Sequence, residues 1–224
     1  MMEYSNPHTI ELIPVIEKWW HNDQLTSPDG SLSEVPAKWE LYNQQAAVLA
    51  GYTTPWVPYS EGHHLYRFSD FTDNNLVKFI QEHIGETLDD GGEWDDIRVF
   101  NGGFVLRVGN EDRLFPGCCS DLLNIHDWED LENCQEGYSF FNGHPEPYVS
   151  QNIESVTIDL SRTDEKSSYH GTASPKIILN KVLLREAIVQ AKKKLQAFAE
   201  RLSNLEQAHQ LGIPDIGRLL VWNG

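Results

Sequence analysis

The sequence predicts an α+β protein: a small antiparallel or mixed sheet packed by N-terminal helices, followed by a long C-terminal helix. Three observations carry that expectation. Apolar residues recur every three or four positions in the N-terminal third and again after residue 175, the period of a helix with one buried face. Between these stretches, short β-branched and aromatic runs alternate with turns rich in glycine and asparagine. Finally, 40% of the 224 residues are apolar and 11% aromatic, enough to build a core and too much for a disordered chain.

Ile10, Ile13, Ile16, Trp19 and Trp20 fall at helical spacing, so a first helix is expected over Thr9–Trp20, with Thr9 as cap. Pro14 asks that helix to start late or to bend. Asp23 to Ser33, containing Ser27-Pro28-Asp29-Gly30, reads as a loop. A second helix is expected over Pro36–Ala50, with Trp39, Tyr42, Ala46 and Leu49 in register and Gly51 as stop. Tyr52 to Tyr66 holds two prolines and the pair His63-His64, and reads as loop with at most one short strand. A third helix is expected over Asp73–Ile84, capped by Thr72 or Asp73 and stopped by Gly85, with Leu76, Phe79, Ile80 and Ile84 inward.

Ile97–Phe100 and Phe104–Val108 read as a hairpin about Asn101-Gly102-Gly103. Arg113–Phe115 follows as a strand after Gly109-Asn110-Glu111-Asp112, and Val156–Leu160 alternates as another. Tyr138–Phe141 is expected to add a fifth. Ser161–Ser174 is polar, and mobility is expected there. Ser174 then caps and Pro175 opens a helix running to about His209, ended by Gly212 and Pro214. Leu184, Ile188, Ala191, Leu195, Phe198, Leu202 and Leu205 alternate steps of four and three, an a/d seam, with Lys192, Lys193, Lys194 and Arg201 on the other face. About 33 residues at about 1.5 Å each make a rod of roughly 50 Å. It either packs on the N-terminal helices or self-associates through residues 177–205 as a homo-oligomer. The chain is therefore expected to comprise an acidic α+β domain, residues 1–175, with residues 176–224 as an amphipathic helix and short tail packed on it.

The net charge of −17 is segregated. Residues 1–175 carry 30 acids against 9 bases, a net of −21, whereas residues 176–224 carry 4 against 8, a net of +4. Glu82 to Glu136 alone holds 15 acids and 3 arginines, a net of −12 within 55 residues. Such a field attracts cationic partners and argues against a nucleic-acid binder, which needs a basic footprint. No run approaches the eighteen or so apolar residues of a membrane span. Met1 to His8 has neither a basic nor an apolar stretch of the signal-peptide kind, so a cytoplasmic location is expected. Three cysteines are too few and too unevenly placed for a disulfide framework.

Cys118, Cys119, His126, Cys134 and His144 lie within 27 residues and raise the question of zinc. Zinc sites pair thiolates through C-x₂₋₄-C turns; adjacent cysteines supply no such pair, and no metal or cofactor is expected. A thiol hydrolase would activate Cys118 or Cys119 with His126, His144 or His170, oriented by Asp121 or Asp127, but no nucleophile-elbow or papain-like string surrounds the cysteines. Leu88 to Asp96, L-D-D-G-G-E-W-D-D, offers five carboxylates without the spacing of a calcium loop, and reads as an acidic partner-facing loop or a solvated turn. A glycosidase-like carboxylate pair would depend on a separation that only the fold sets. Vicinal His63-His64 chelates poorly, and His144, between Asn142-Gly143 and Pro145, sits in a turn-forming string. No phosphate loop, G-x-S-x-G, H-E-x-x-H or dinucleotide fingerprint occurs. The sequence points away from an enzyme.

The strings Arg98-Val99-Phe100-Asn101-Gly102-Gly103-Phe104-Val105-Leu106, Leu114-Phe115-Pro116-Gly117-Cys118-Cys119-Ser120-Asp121-Leu122, Trp128 and Asn142-Gly143-His144-Pro145 resemble a group of small bacterial immunity-type and uncharacterised proteins of toxin–immunity systems. The resemblance covers roughly residues 95–150 and rests on turn and core residues. The resemblance implies a cytoplasmic α+β protein that binds another protein, such as a toxin domain; toxin nucleases tend to be basic, which suits the acidic segment, as would mimicry of DNA. The expectation is a non-enzymatic acidic module that neutralises a basic partner by occlusion, using Asp89, Asp90, Glu93, Asp95, Asp96, Glu129, Asp130 and Glu132. The alternatives are a hydrolase or metal-dependent enzyme centred on Cys118, Cys119, His126 and His144, and a self-assembling structural subunit.

Overall fold

Strands form in this chain where β-branched residues run together or alternate, and helices where the apolar period is sustained. The computed structural model describes residues 9–131, 140–162 and 175–222. Over these the fold is mixed α+β, with two antiparallel sheets and a long C-terminal helix. The chain packs as two compact units, Met1–Pro14 with Gly102–Leu195 and Val15–Asn101 with Gln196–Gly224. No helix among the described residues is long and apolar enough to cross a membrane.

In the first unit, β3 (Gly102–Val108) lies between the start of β1 (Ile10–Glu17) and β4 (Glu111–Leu114). The β3–β4 hairpin turns at Gly109-Asn110, pairs Val108 with Glu111 and is clamped by Arg107, whose Nε donates to Asp112 at 2.7 Å. Asp121 caps a helical turn, Leu122–Asn124, that leads into α3 (Ile125–Leu131), whose Trp128 packs edge-on against Phe140 with ring centres 4.8 Å apart. A three-stranded sheet follows, β5 (Tyr148–Gln151), β6 (Ser155–Asp159) and β7 (Lys176–Asn180), antiparallel in that order.

The second unit pairs the end of β1 with β2 (Leu65–Tyr66) and adds α1 (Pro36–Leu49) and α2 (Asp73–Leu88). Its core is aromatic. Trp56 meets Trp20, Tyr52, Tyr66 and Phe79 edge to face, with ring centres 5.0 to 5.5 Å apart, an arrangement that adds to simple burial. Trp20 Nε1 donates to the Tyr66 hydroxyl at 2.9 Å. Pro36 opens α1 as expected, and Thr72 caps α2 by accepting from Asn75 N.

Several expected elements are corrected. Thr9–Trp20 is not a helix: Leu12 to Ile16 are all buried, and a run buried on both faces, rich in β-branched residues and interrupted by Pro14, is a strand. Ile97–Phe100 is not a strand, and Asn101-Gly102-Gly103 is no hairpin turn. Gly103 lies in β3, and it is glycine because the chain approaches there so closely that a Cβ would meet Ser120 Oγ at 2.7 Å. Gly85 does not stop α2, which continues to Leu88. Phe140 and Phe141 form no strand, while Tyr138, with residues 163–174 and hence most of the polar segment expected to be mobile, lies outside the described residues. Ser174, the expected cap, also lies outside them, and Pro175 does not begin the helix. Lys176–Asn180 alternates exposed and buried residues and pairs along β6, so α4 runs from Lys181 to His209. The Asn180 side chain is its cap, accepting from Val182 N and Leu183 N at 2.9 and 3.2 Å.

The 29 residues of α4 span roughly 44 Å. Its seam, Leu184 to Leu205, is buried within the chain at every expected position. The opposite face is tied down by charge. In the first unit Lys192 pairs with Glu129 at 2.6 Å and Lys194 with Glu11 at 2.7 Å. In the second, Arg201 pairs with Asp73 at 2.6 Å and donates to the carbonyls of Phe68 and Phe71.

Candidate functional site

The acidic loop is built on the end of α2. Gly91 N bonds to the Leu88 carbonyl and Gly92 N to that of Thr87, closing the helix. The next residues make one helical turn, Trp94–Asp96, held by a reciprocal cap in which Glu93 N donates to Asp96 Oδ2 at 2.8 Å. Asp89, Asp90, Glu93, Asp95 and Asp96 are all exposed. Among the described residues none of the five takes part in an ion pair. Trp94 stands among them with 37% of its surface exposed.

An open groove of about 600 Å³ runs from α2 into this loop, lined by Lys78, Glu82, Gly85, Glu86, Asp89 and Asp90. Among the described residues, Glu82 is the one acid there with its charge answered. It accepts from Tyr52 Oη at 2.6 Å and faces Lys18 at 3.2 Å and Lys78 at 3.1 Å. Burial pulls its pKa up, but the hydrogen bonds from Tyr52 and Lys78 and the Lys18 charge prevail and hold it below the usual carboxylate range. The free negative charge of the groove therefore comes from Glu86, Asp89 and Asp90.

Glu129 and Asp130, also expected at the interface, stand on α3 in the other unit. Glu129 is engaged by Lys192 and by His126 Nδ1 at 3.1 Å, and these partners hold its pKa down against a burial contribution that would raise it. Asp130 is exposed, and Glu132 lies outside the described residues. Sequence reasoning passed over Trp94 and the Tyr52–Glu82–Lys18–Lys78 cluster. Trp94 was visible as the aromatic inside the carboxylate string; the cluster joins residues as far as 64 positions apart and left no local signal.

Two turn-forming strings in the first unit meet each other. Gly117 N donates to the Asn142 carbonyl at 2.7 Å, His144 N to that of Cys118 at 2.9 Å, and Asn142 Nδ2 to that of Phe115 at 3.1 Å. Gly117 and Gly143 lie backbone to backbone: a Cβ on Gly143, whose φ is +85°, would fall 2.4 Å from the Gly117 carbonyl carbon. Behind them, buried Ser120 donates to Asn124 Oδ1 at 2.6 Å, and Asn124 Nδ2 donates to Asp127. Burial raises the Asp127 pKa, despite that hydrogen bond.

Cys118 and Cys119 are exposed, with sulfurs 3.1 Å apart. His144 is bridged to Cys118 through the backbone and packs its ring near Phe141, while His126 is exposed against Glu129. Cys134 and His170 lie outside the described residues, and among the described residues no three histidine, cysteine or acidic side chains gather as metal ligands. His64 is buried against Trp19, ring centres 3.5 Å apart, where desolvation pushes its pKa down to about 4. Compared with known proteins, the chain matches no family model, no curated protein and no solved structure.

Proposed function

We propose that this chain is a non-enzymatic, immunity-like binding module that occludes a basic protein partner with the loop Asp89–Asp96. The observation that carries the reading is the exposure of five carboxylates, free of ion pairs among the described residues, around half-exposed Trp94. An interface needs an aromatic anchor that buries area at its centre and charges that steer the encounter. This loop offers both, beside a groove whose unanswered charges have the same sign. The acids of α3 are a poorer candidate, because Glu129 would have to give up Lys192 to serve a partner.

The test is association with a basic nuclease domain of a bacterial toxin, measured at rising salt. Steering charges are screened, so the on-rate falls about tenfold or more between low salt and about 0.5 M. Asp89→Lys with Asp90→Lys weakens binding far more than Asp23→Lys with Asp29→Lys, a matched change on two other exposed acids. A salt-independent on-rate, or equal effects of the two pairs, refutes the reading.

A further inference from the structure

The proposed binding function makes no use of the most unusual chemistry on the surface, the two adjacent thiols. We propose that Cys118 and Cys119 are a modification site, a dithiol pair that closes reversibly to a vicinal disulfide on exposure to small-molecule disulfides. Both side chains are exposed and their sulfurs are 3.1 Å apart, so about 1 Å of movement separates them from a bond of about 2.04 Å. The backbone sets up this approach. Cys119 has φ +68°, a conformation that residues other than glycine rarely adopt. Cys118 is held by its bridge to His144, beside the packed backbones of Gly117 and Gly143.

With oxidised glutathione as oxidant, the thiolate of one cysteine attacks a glutathione sulfur. A mixed disulfide forms, and the departing glutathione thiolate takes up the proton that the cysteine lost. The neighbouring cysteine, ionised in turn, attacks the protein sulfur of that mixed disulfide and expels the second glutathione, which is protonated likewise. Two protein thiols are oxidised to one S–S bond, and one glutathione disulfide is reduced to two thiols. The second step is intramolecular across 3.1 Å and outruns capture of another glutathione. Adjacent Cα atoms lie about 3.8 Å apart, short of the roughly 4.4 Å at which most disulfides begin, so the closed ring is strained and readily reduced. Strain makes the pair reversible rather than structural.

The test uses the full chain carrying Cys134→Ser, treated under native, mildly alkaline conditions with oxidised glutathione and read by intact mass. The expected product has lost two hydrogens, retains no glutathione, and is restored by dithiothreitol. On the same background Cys118→Ser and Cys119→Ser each retain one glutathione. Peptide mapping of the unsubstituted chain, cleaved at acidic residues between Cys119 and Cys134, places the bond inside the Cys118–Cys119 peptide even if Cys134→Ser fails to fold. Retained glutathione on the two-thiol protein, or a bond from either cysteine to Cys134, overturns the proposal.

Discussion

The acidic loop Asp89–Asp96 and the glycine–cysteine turn around Gly117 and Gly143 are both short, polar and conspicuous in sequence, yet they are built in opposite ways. The loop presents its side chains to solvent and holds its backbone with bonds among its own neighbours. The turn exposes its two sulfurs but commits its backbone to a second segment more than twenty residues away. What differs is which part of the residue is in use. In the loop, the side chains outside the Glu93–Asp96 cap are replaceable for folding, whereas a single methyl group is intolerable where two backbones touch.

The largest expected effect breaks the turn. Gly143→Ala places a Cβ against Gly117 at a positive φ and should cost about 3 kcal/mol or more, read from urea unfolding. A loss below about 1 kcal/mol would mean that the two segments can part. Next, Arg201→Ala removes a paired guanidinium that also satisfies two backbone carbonyls, for about 1–2 kcal/mol. Lys192→Ala, which breaks only a half-exposed ion pair, should cost about 0.5 kcal/mol or less. Equal losses would show that the carbonyl contacts of Arg201 contribute nothing.

Reversing Asp89, Asp90 and Asp95 to lysine should shift stability by no more than about 0.5 kcal/mol while removing binding to the basic nuclease domain. Unfolding of that variant would make the loop structural and erase the contrast with the turn. A further expected difference concerns pH. His64 has a folded pKa of about 4, below the unfolded value of about 6.5, so the unfolded state binds more protons between those values. Its contribution is fully present above about pH 6.5 and is lost as pH falls toward 4. His64→Phe should therefore show a shallower fall in urea midpoint across that window than the parent chain, and identical slopes would place His64 in water.

The sequence by itself determined much of the local structure and the seam of α4. Pro36 at the start of α1 and Thr72 as the cap of α2 each rest on one residue type acting on nearby backbone, and β6 on a short alternating pattern. The apolar seam was legible because a period sustained over many residues has one interpretation. The acidic loop was legible as well, since five carboxylates within eight residues cannot all be buried.

Tertiary structure decided what ambiguous stretches became and which charges remain free. Apolar spacing over Ile10–Trp20 fits a helix or a doubly buried strand, and pairing with β2 and β3 chose the strand. Pro175 signals a helix start locally, but five register pairs with β6 outweigh that preference. Gly102 and Gly103 signal a turn, whereas close approach to Ser120 is what requires Gly103. Net charge is a sum over the chain, so it could not show that Lys192, Lys194 and Arg201 of α4 are spent on Glu129, Glu11 and Asp73 while the loop acids have no such partner among the described residues. Composition counts charges; only distances in the folded chain, set by contacts remote in sequence, show which of them another charge has answered.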